Sequence, residues 1–177
     1  PLYSSAASDV YKRQVTGGDK NIAGNSYATT SGGYNNNASG ANSTISGGYC
    51  NTASALNSTV SGGYSNQATC GDSTVGGGRQ NTASGNISTV SGGFSSTASG
   101  VYSTIGGGKF NTSSSYTSVV AGGYGNDATG CYSAIGGGLD NTSSNLGTTV
   151  AGGRVNLAIQ AYATVGGGFC NTASGAY

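Results

Sequence analysis

The stretch SGGYCNTASALNSTV, residues 46–60, contains one full period of the sequence and predicts its fold. Its paired glycines, Gly47 and Gly48, return every 15 residues from the first pair at residues 17–18 to the last at 167–168, without an insertion. Ten full repeats occupy residues 16–165, and a partial eleventh occupies residues 166–177. A short period that is kept this strictly is typical of a solenoid, in which each repeat forms one coil that stacks on the next.

The residue types within the repeat favour β-structure. We number the positions of each repeat from 1 to 15, starting at the residue before the glycine pair. Position 15 is valine or isoleucine in nine of the ten full repeats, position 13 is small, and position 8 is alanine or serine. In a strand, positions 13 and 15 share one face, so both are predicted to point inward and the threonines of position 14 outward. Gly, Ser, Thr and Asn dominate and no apolar stripe has helical spacing, which argues against a helical repeat. The sequence therefore predicts an all-β, parallel β-solenoid with one coil per 15-residue repeat and about ten coils.

The remaining positions are predicted to form the corners of each coil. Position 10 is mostly Gly, Asn or Ser, types that favour turns and tolerate positive φ. The glycine pair is expected to make the other bend, or to let another backbone approach closely. Position 6 is asparagine in every repeat except at Ser96. A stacked asparagine at a bend is expected to hydrogen-bond its own turn and the next coil.

Composition excludes several classes of function. Charged residues make up 6% of the chain, and histidine is absent. The repeats contain four acids and four bases and are neutral, so no basic stripe is present to bind nucleic acid. No apolar run is long enough to span a membrane, so direct membrane insertion is not expected. The aspartates of the repeats occupy different positions, and serine has no histidine partner. We therefore predict a non-enzymatic protein with no catalytic residue, no metal site and no cofactor.

Residues 1–15 do not fit the repeat and are predicted to be a leader, followed by a single solenoid domain over residues 16–177. The stretch PLYSSAASDVYKRQ, residues 1–14, resembles a translated sequencing-adapter string. The alternative is a genuine leader or capping segment. The chain has no initial methionine and stops within a repeat, so we expect it to be part of a longer protein.

Position 4, directly after the glycine pair, carries large aromatic and cationic side chains in nine of the eleven repeats. At the spacing of neighbouring coils these side chains can stack along the rod. They form either an adhesive face, an interface between chains, or a corner where side chains cover one another. The residues of this candidate interaction ladder are Tyr34, Tyr49, Tyr64, Arg79, Phe94, Lys109, Tyr124, Arg154 and Phe169.

The string GGGRQNTASGNISTVSGG, residues 76–93, resembles the YadA-like head repeats of trimeric autotransporter adhesins and of related bacterial surface and fibre proteins. The resemblance covers residues 16–177. It implies a left-handed β-roll that forms a homotrimer or fibre, is displayed extracellularly at a cell surface, and adheres to extracellular matrix or to a cell-surface ligand. The repeat of that family is slightly shorter and places its glycines differently, and its neck, stalk and membrane anchor do not occur in these residues.

Two alternative functions remain open. The outward threonines of position 14, with partial Thr and Ser arrays at positions 7 and 9, resemble the ladders of insect-type antifreeze proteins and would make the chain ice-binding. Position 7 also contains Asn37, Gln67 and Asp127, which interrupt such a plane. The other alternative is a structural subunit of a fibre or filament.

Overall fold

Short β-strands wind into a solenoid in the computed structural model, which describes residues 13–175. Each strand has two residues, and no helix occurs in the described part of the chain. The strands are β1 (Gln14–Val15), β2 (Ile22–Ala23), β3 (Thr29–Thr30), β4 (Asn37–Ala38), β5 (Thr44–Ile45), β6 (Thr52–Ala53), β7 (Thr59–Val60), β8 (Gln67–Ala68), β9 (Thr74–Val75), β10 (Thr82–Ala83), β11 (Thr89–Val90), β12 (Thr97–Ala98), β13 (Thr104–Ile105), β14 (Thr112–Ser113), β15 (Val119–Val120), β16 (Asp127–Ala128), β17 (Ala134–Ile135), β18 (Thr142–Ser143), β19 (Thr149–Val150), β20 (Leu157–Ala158), β21 (Thr164–Val165) and β22 (Thr172–Ala173).

The strands form two parallel sheets. The odd-numbered strands make one sheet of eleven strands, and the even-numbered strands make the other. Paired residues lie 15 positions apart, as Thr59 with Thr74 and Ala53 with Ala68. Each repeat therefore adds one strand to each sheet, which confirms the predicted parallel β-solenoid. Eleven strands per sheet arise because β1 precedes the first full repeat and β22 belongs to the partial eleventh.

The core is thin and uniform. Ala53 of position 8, Ser58 of position 13 and Val60 of position 15 are fully buried, and the same positions are buried in the coils on either side. The threonine between them, Thr59, is half-buried and faces outward. The predicted inward and outward positions of both strands are confirmed.

A buried asparagine ladder runs along the solenoid at position 6. The Nδ2 group of Asn51 donates to the carbonyl oxygens of Gly47 at 3.0 Å and Gly63 at 2.9 Å, one in its own coil and one in the next. Its Oδ1 accepts from the backbone N–H of Asn66 at 2.9 Å. Each such bond contributes about 1 kcal/mol net, and the group would be costly to bury without partners. The expected role of this asparagine is confirmed.

Position 10 lies in a corner as predicted, but the left-handed backbone of the non-glycine residues lies at positions 5 and 12. Asn35 and Cys50 at position 5 have φ of 54°, and Asn57 at position 12 has the same value. Position 10 instead begins a tight turn, closed in the first coil by a 3.0 Å hydrogen bond from the N–H of Ala28 to the carbonyl of Asn25. The left-handed turns are set by the need to close a coil and not by residue type, since Val155 also has φ of 55°.

The second glycine of each pair is required by backbone contact. Gly48 has φ of 93°, and a Cβ there would overlap the carbonyl oxygen of Gly63 in the next coil. This close approach was one of the two predicted roles of the pair. The glycine pair and the turn at positions 9–13 connect the two strands of a coil at opposite ends, so the solenoid has two opposite edges.

The N-terminal region is described only from residue 13. Residues 1–12, which contain most of the adapter-like stretch, lie outside the described residues. Gln14 and Val15 form β1 and pair with Thr29 and Thr30 of β3. The boundary at residue 15 and the single domain over residues 16–177 stay predictions, as does the left-handed sense of the coil.

Candidate functional site

The candidate interaction ladder lies along the edge that contains the glycine pairs. Backbone bridges join position 4 of each coil to position 4 of the next, from Asp19 to Phe169. Side chains at this position are therefore held in register, one coil apart. Most are exposed, whereas Tyr34, Phe94 and Leu139 are half-buried. The structure brings the predicted residues into one line.

Three tyrosines begin the ladder as a parallel stack. The ring centroids of Tyr34 and Tyr49 are 5.1 Å apart, and those of Tyr49 and Tyr64 are 5.2 Å apart with an interplanar angle of 1°. The Nζ of Lys20 donates a 2.9 Å hydrogen bond to the Tyr34 hydroxyl. Because the rings cover one another's faces, they present their edges and hydroxyls to solvent. Ring edges carry the positive end of the aromatic quadrupole.

Cations continue the stack beyond Tyr64. The guanidinium carbon of Arg79 lies 5.3 Å from the Tyr64 centroid and 5.4 Å from the Phe94 centroid. The Nζ of Lys109 lies 5.2 Å from Phe94 and 5.8 Å from Tyr124. Such contacts are worth about 0.5–1 kcal/mol each at exposed sites. The ladder is thus continuous from Tyr34 to Tyr124.

Phe110 belongs to the ladder although sequence reasoning missed it. It occupies position 5, and its ring packs edge-on against Phe94 at 5.4 Å and Tyr124 at 5.6 Å, with the Lys109 ammonium 4.8 Å away. The left-handed backbone at position 5 turns this side chain onto the same edge. A prediction of left-handed backbone at position 5 would have indicated that Phe110 lies on the ladder edge.

The ladder is interrupted in the ninth coil. Leu139 occupies position 4 there, and beyond it Arg154 stacks on Phe169 at 5.4 Å. The acids of this edge, Asp19 and Asp140, lie in the first and ninth coils. The segment between them contains Arg79 and Lys109 and no acid, so it is positively charged.

Tyr49 is electrostatically perturbed within the stack. The neighbouring Cys50 thiol raises the pKa of Tyr49 above its ordinary value of 10.0, and burial and the flanking tyrosines raise it further. The Sγ of Cys50 also accepts from the Asn35 side-chain amide at 3.3 Å. The raised pKa means that the phenol of Tyr49 releases its proton less readily than an ordinary tyrosine.

A second exposed edge lies across the solenoid at positions 11 and 12. Tyr102, Tyr116 and Tyr132 pack edge to face in consecutive coils, with centroids 5.6 and 5.5 Å apart. Tyr116 was not recognised from the sequence, because it occupies position 11 and its neighbours occupy position 12. We call this surface the turn edge; it consists of Ile87, Val101, Tyr102, Tyr116, Tyr132 and Leu146.

Groups that could do chemistry are scattered along the rod. Within residues 13–175, no three His, Cys, Asp or Glu side chains come close enough together to hold a metal ion. A depression of about 360 Å³ near the last coils is lined by Asp140, Val155, Leu157 and Cys170 among others, with a single carboxylate. All four cysteines are free thiols. A search of the described residues found no helix of the length and apolarity needed to cross a membrane.

The fold and its two edges define a β-solenoid repeat protein whose distinctive side chains are arranged along a rod. Residues 58–69 match the ubiquitous surface protein adhesin repeat, and this segment contains the glycine pair and Tyr64 of the ladder. The match supports an adhesin repeat without distinguishing the YadA-like head repeats. The comparison with curated proteins found no match.

Proposed function

We propose that this chain is a non-enzymatic, surface-displayed scaffold similar to an adhesin head, and that its YadA-like repeats assemble as a homotrimer or fibre outside the cell. The observation that carries the proposal is the continuous ladder from Tyr34 to Tyr124, held in register by backbone bridges. The adhesin repeat matched by residues 58–69 supports the same conclusion. A rod with one side chain per coil offers the same contact many times, which raises avidity without any strong single contact.

The ladder is proposed as the ligand-facing edge. Its stacked rings leave hydroxyls, ring edges and two cations accessible between the second and eighth coils. Tyrosine and arginine are the residue types most enriched among strong contacts at interfaces. The ligand that we propose is a component of extracellular matrix or of a cell surface that accepts hydrogen bonds and carries negative charge.

Binding of the full chain to surfaces coated with matrix from cultured epithelial cells tests this function. The double variant Tyr49→Ser/Tyr64→Ser is expected to lose at least tenfold in retained protein, because it removes two of the three stacked tyrosines. Leu56→Ser is the control, since Leu56 is similarly exposed but lies outside the ladder. Retention of the wild type at the level of a coating of albumin alone, or equal retention of the double variant, would contradict the proposal.

Ice binding has less support. The outward threonines are divided between two sheets, and each two-residue strand contributes at most one of them. The threonines of position 7 are interrupted by Gln67, Asp127 and Leu157. An ice-recrystallisation assay on the same sample tests this alternative directly.

A further inference from the structure

We infer that the turn edge is the surface through which copies of this chain associate side by side, in parallel and in register. The inference rests on the self-association in the proposed function and assigns it to one edge. The ladder then stays on the outside of the assembly, where a ligand can reach it.

The turn edge is an uncharged and exposed row of large apolar side chains. Its six side chains are each 39–57% exposed, and they cover five consecutive coils. The three tyrosines pack against one another without being covered from outside. Contiguous apolar patches of a few hundred Å² on soluble proteins mark interaction sites. Aromatic side chains are also enriched at the centres of such interfaces.

The distribution of charge separates the two edges. The turn edge contains no charged residue from the fifth to the ninth coil; the nearest one at positions 11 and 12 is Asp72 in the fourth. The ladder contains Arg79, Lys109 and Arg154. In a closed three-fold assembly whose axis runs along the rods, the chains are parallel, and the residues that face the axis meet their own copies at the same height. Like charges placed directly together are unfavourable, so the ladder is a poor interface and the turn edge a good one.

The spacing of the side chains indicates that the occupant is a second copy. Tyr102, Tyr116 and Tyr132 project at one per coil, which is about 4.8 Å along the rod. A copy in register offers side chains with the same spacing over all five coils, aromatic in the sixth to eighth coils and aliphatic in the fifth and ninth.

The first experiment compares two matched substitutions by light scattering over a dilution series of the full chain. Tyr116 and Tyr49 are 44% and 45% exposed, and neither has a left-handed backbone. Tyr116→Lys is expected to shift dissociation of the assembly to at least tenfold higher protein concentration, because lysines would meet at the interface. Tyr49→Lys is expected to leave the assembly unchanged. Circular dichroism shows whether each variant keeps its strands.

A second experiment uses cysteines that the chain already contains, and it applies even if Tyr116→Lys fails to fold. Cys131 lies beside the turn edge, 4.0 Å from the Ser115 hydroxyl, and Cys170 lies on the ladder edge; both are exposed. Two variants keep only one of these cysteines, with the other three replaced by serine. A short bismaleimide is expected to crosslink the chain with Cys131 alone to a covalent dimer, and to leave the chain with Cys170 alone uncrosslinked.

The outcomes separate this inference from the proposed function. Assembly that is broken by Tyr49→Lys, or crosslinked through Cys170 in preference to Cys131, would overturn the turn edge as the interface and leave self-association standing. A wild-type chain that is monomeric at every concentration would overturn both. Loss of assembly in Tyr116→Lys together with crosslinking through Cys131 supports the inference.

Discussion

Replacement of Ser96 by asparagine is expected to stabilise the solenoid, because Ser96 is the one break in the buried asparagine ladder. The coils on either side show what is missing. Asn81 donates to the carbonyls of Gly77 at 2.9 Å and Gly93 at 2.8 Å, and Asn111 donates to the equivalent carbonyls of its own and the next coil. Ser96 accepts one bond, from the Asn111 N–H at 3.3 Å, and its hydroxyl cannot reach both carbonyls.

The magnitude follows from the missing bonds. Asparagine at position 96 would donate to the carbonyls of Gly92 and Gly108 and would replace the long bond to Asn111 with one near 2.9 Å, as between Asn111 and Asn126. Two new buried hydrogen bonds contribute about 1 kcal/mol each, and ordering the longer side chain costs about half of one such bond. The expected gain is therefore about 1–2 kcal/mol, and each kcal/mol raises Tm by about 2–4 °C in a chain of this size.

The assay combines thermal unfolding with amide hydrogen exchange. Neighbouring coils of a solenoid unfold partly independently, so amide hydrogen exchange shows which coils gain stability. Thermal unfolding reports only the average over the whole chain. The Phe94 N–H, which donates to the Gly108 carbonyl at 2.9 Å, is expected to exchange more slowly in Ser96→Asn. The reverse substitution, Asn81→Ser, is expected to lose a similar free energy. A Ser96→Asn variant with unchanged exchange and Tm would refute the reasoning, since it would show that the two carbonyls do not need the amide.

Three further predictions concern the backbone and the tyrosine stack. Gly123→Ala is expected to lower the free energy of unfolding in chemical denaturation by about 2–4 kcal/mol, because its φ is 91° and a Cβ there would overlap the backbone of the next coil. Gly122→Ala is the control, since a Cβ at Gly122 meets open space, and its free energy of unfolding is expected to stay within about 1 kcal/mol of the wild type. Val155→Asn is expected to stabilise the chain by about 1 kcal/mol in thermal unfolding, since asparagine tolerates the left-handed backbone that a β-branched residue resists. Val119 has no positive φ, so Val119→Asn is expected to bring no gain in that experiment. The folded chain holds the Tyr49 proton more tightly than the unfolded chain, so the contribution of this group to stability is present below pH 10.0 and falls as pH rises above it. Tyr49→Phe is expected to flatten that part of the pH–stability profile. An unchanged profile would contradict the raised pKa of Tyr49.

The repeating features of the interior could be predicted from the sequence because neighbouring coils impose them. Val60 and Ala53 point inward and Asn51 bonds to the next coil, and each position repeats almost without exception. A residue in such a slot contacts its own equivalents above and below, so the same physical requirement recurs in every repeat. The period and the residue type together therefore determined the strand faces and the asparagine ladder.

The geometry of the edges could not be predicted in the same way. Positions 5 and 12 adopt left-handed backbone even at Phe110 and Ile87, whose types indicate extended structure, because closure of the coil overrides local preference. Because these left-handed positions were not predicted, the sequence did not indicate which side chains share an edge. Position 4 alone suggested the ladder but not Phe110, and it gave no indication that Tyr116, at position 11, packs between two tyrosines at position 12.

The same division explains where binding specificity can arise in this fold. Replacing Gly63, Asn66 or Val75 disturbs contacts with two neighbouring coils, so the interior allows little variation. At the edges, replacing a side chain alters mainly the contacts of that side chain. Position 4 accordingly varies among tyrosine, phenylalanine, arginine, lysine and leucine, while the backbone bridges between coils stay the same. Stability is thus carried by the invariant positions, and the proposed recognition falls to the variable ones. The uncharged edge proposed for assembly and the charged aromatic edge proposed for the ligand can therefore coexist on one 15-residue repeat without competing for the same residues.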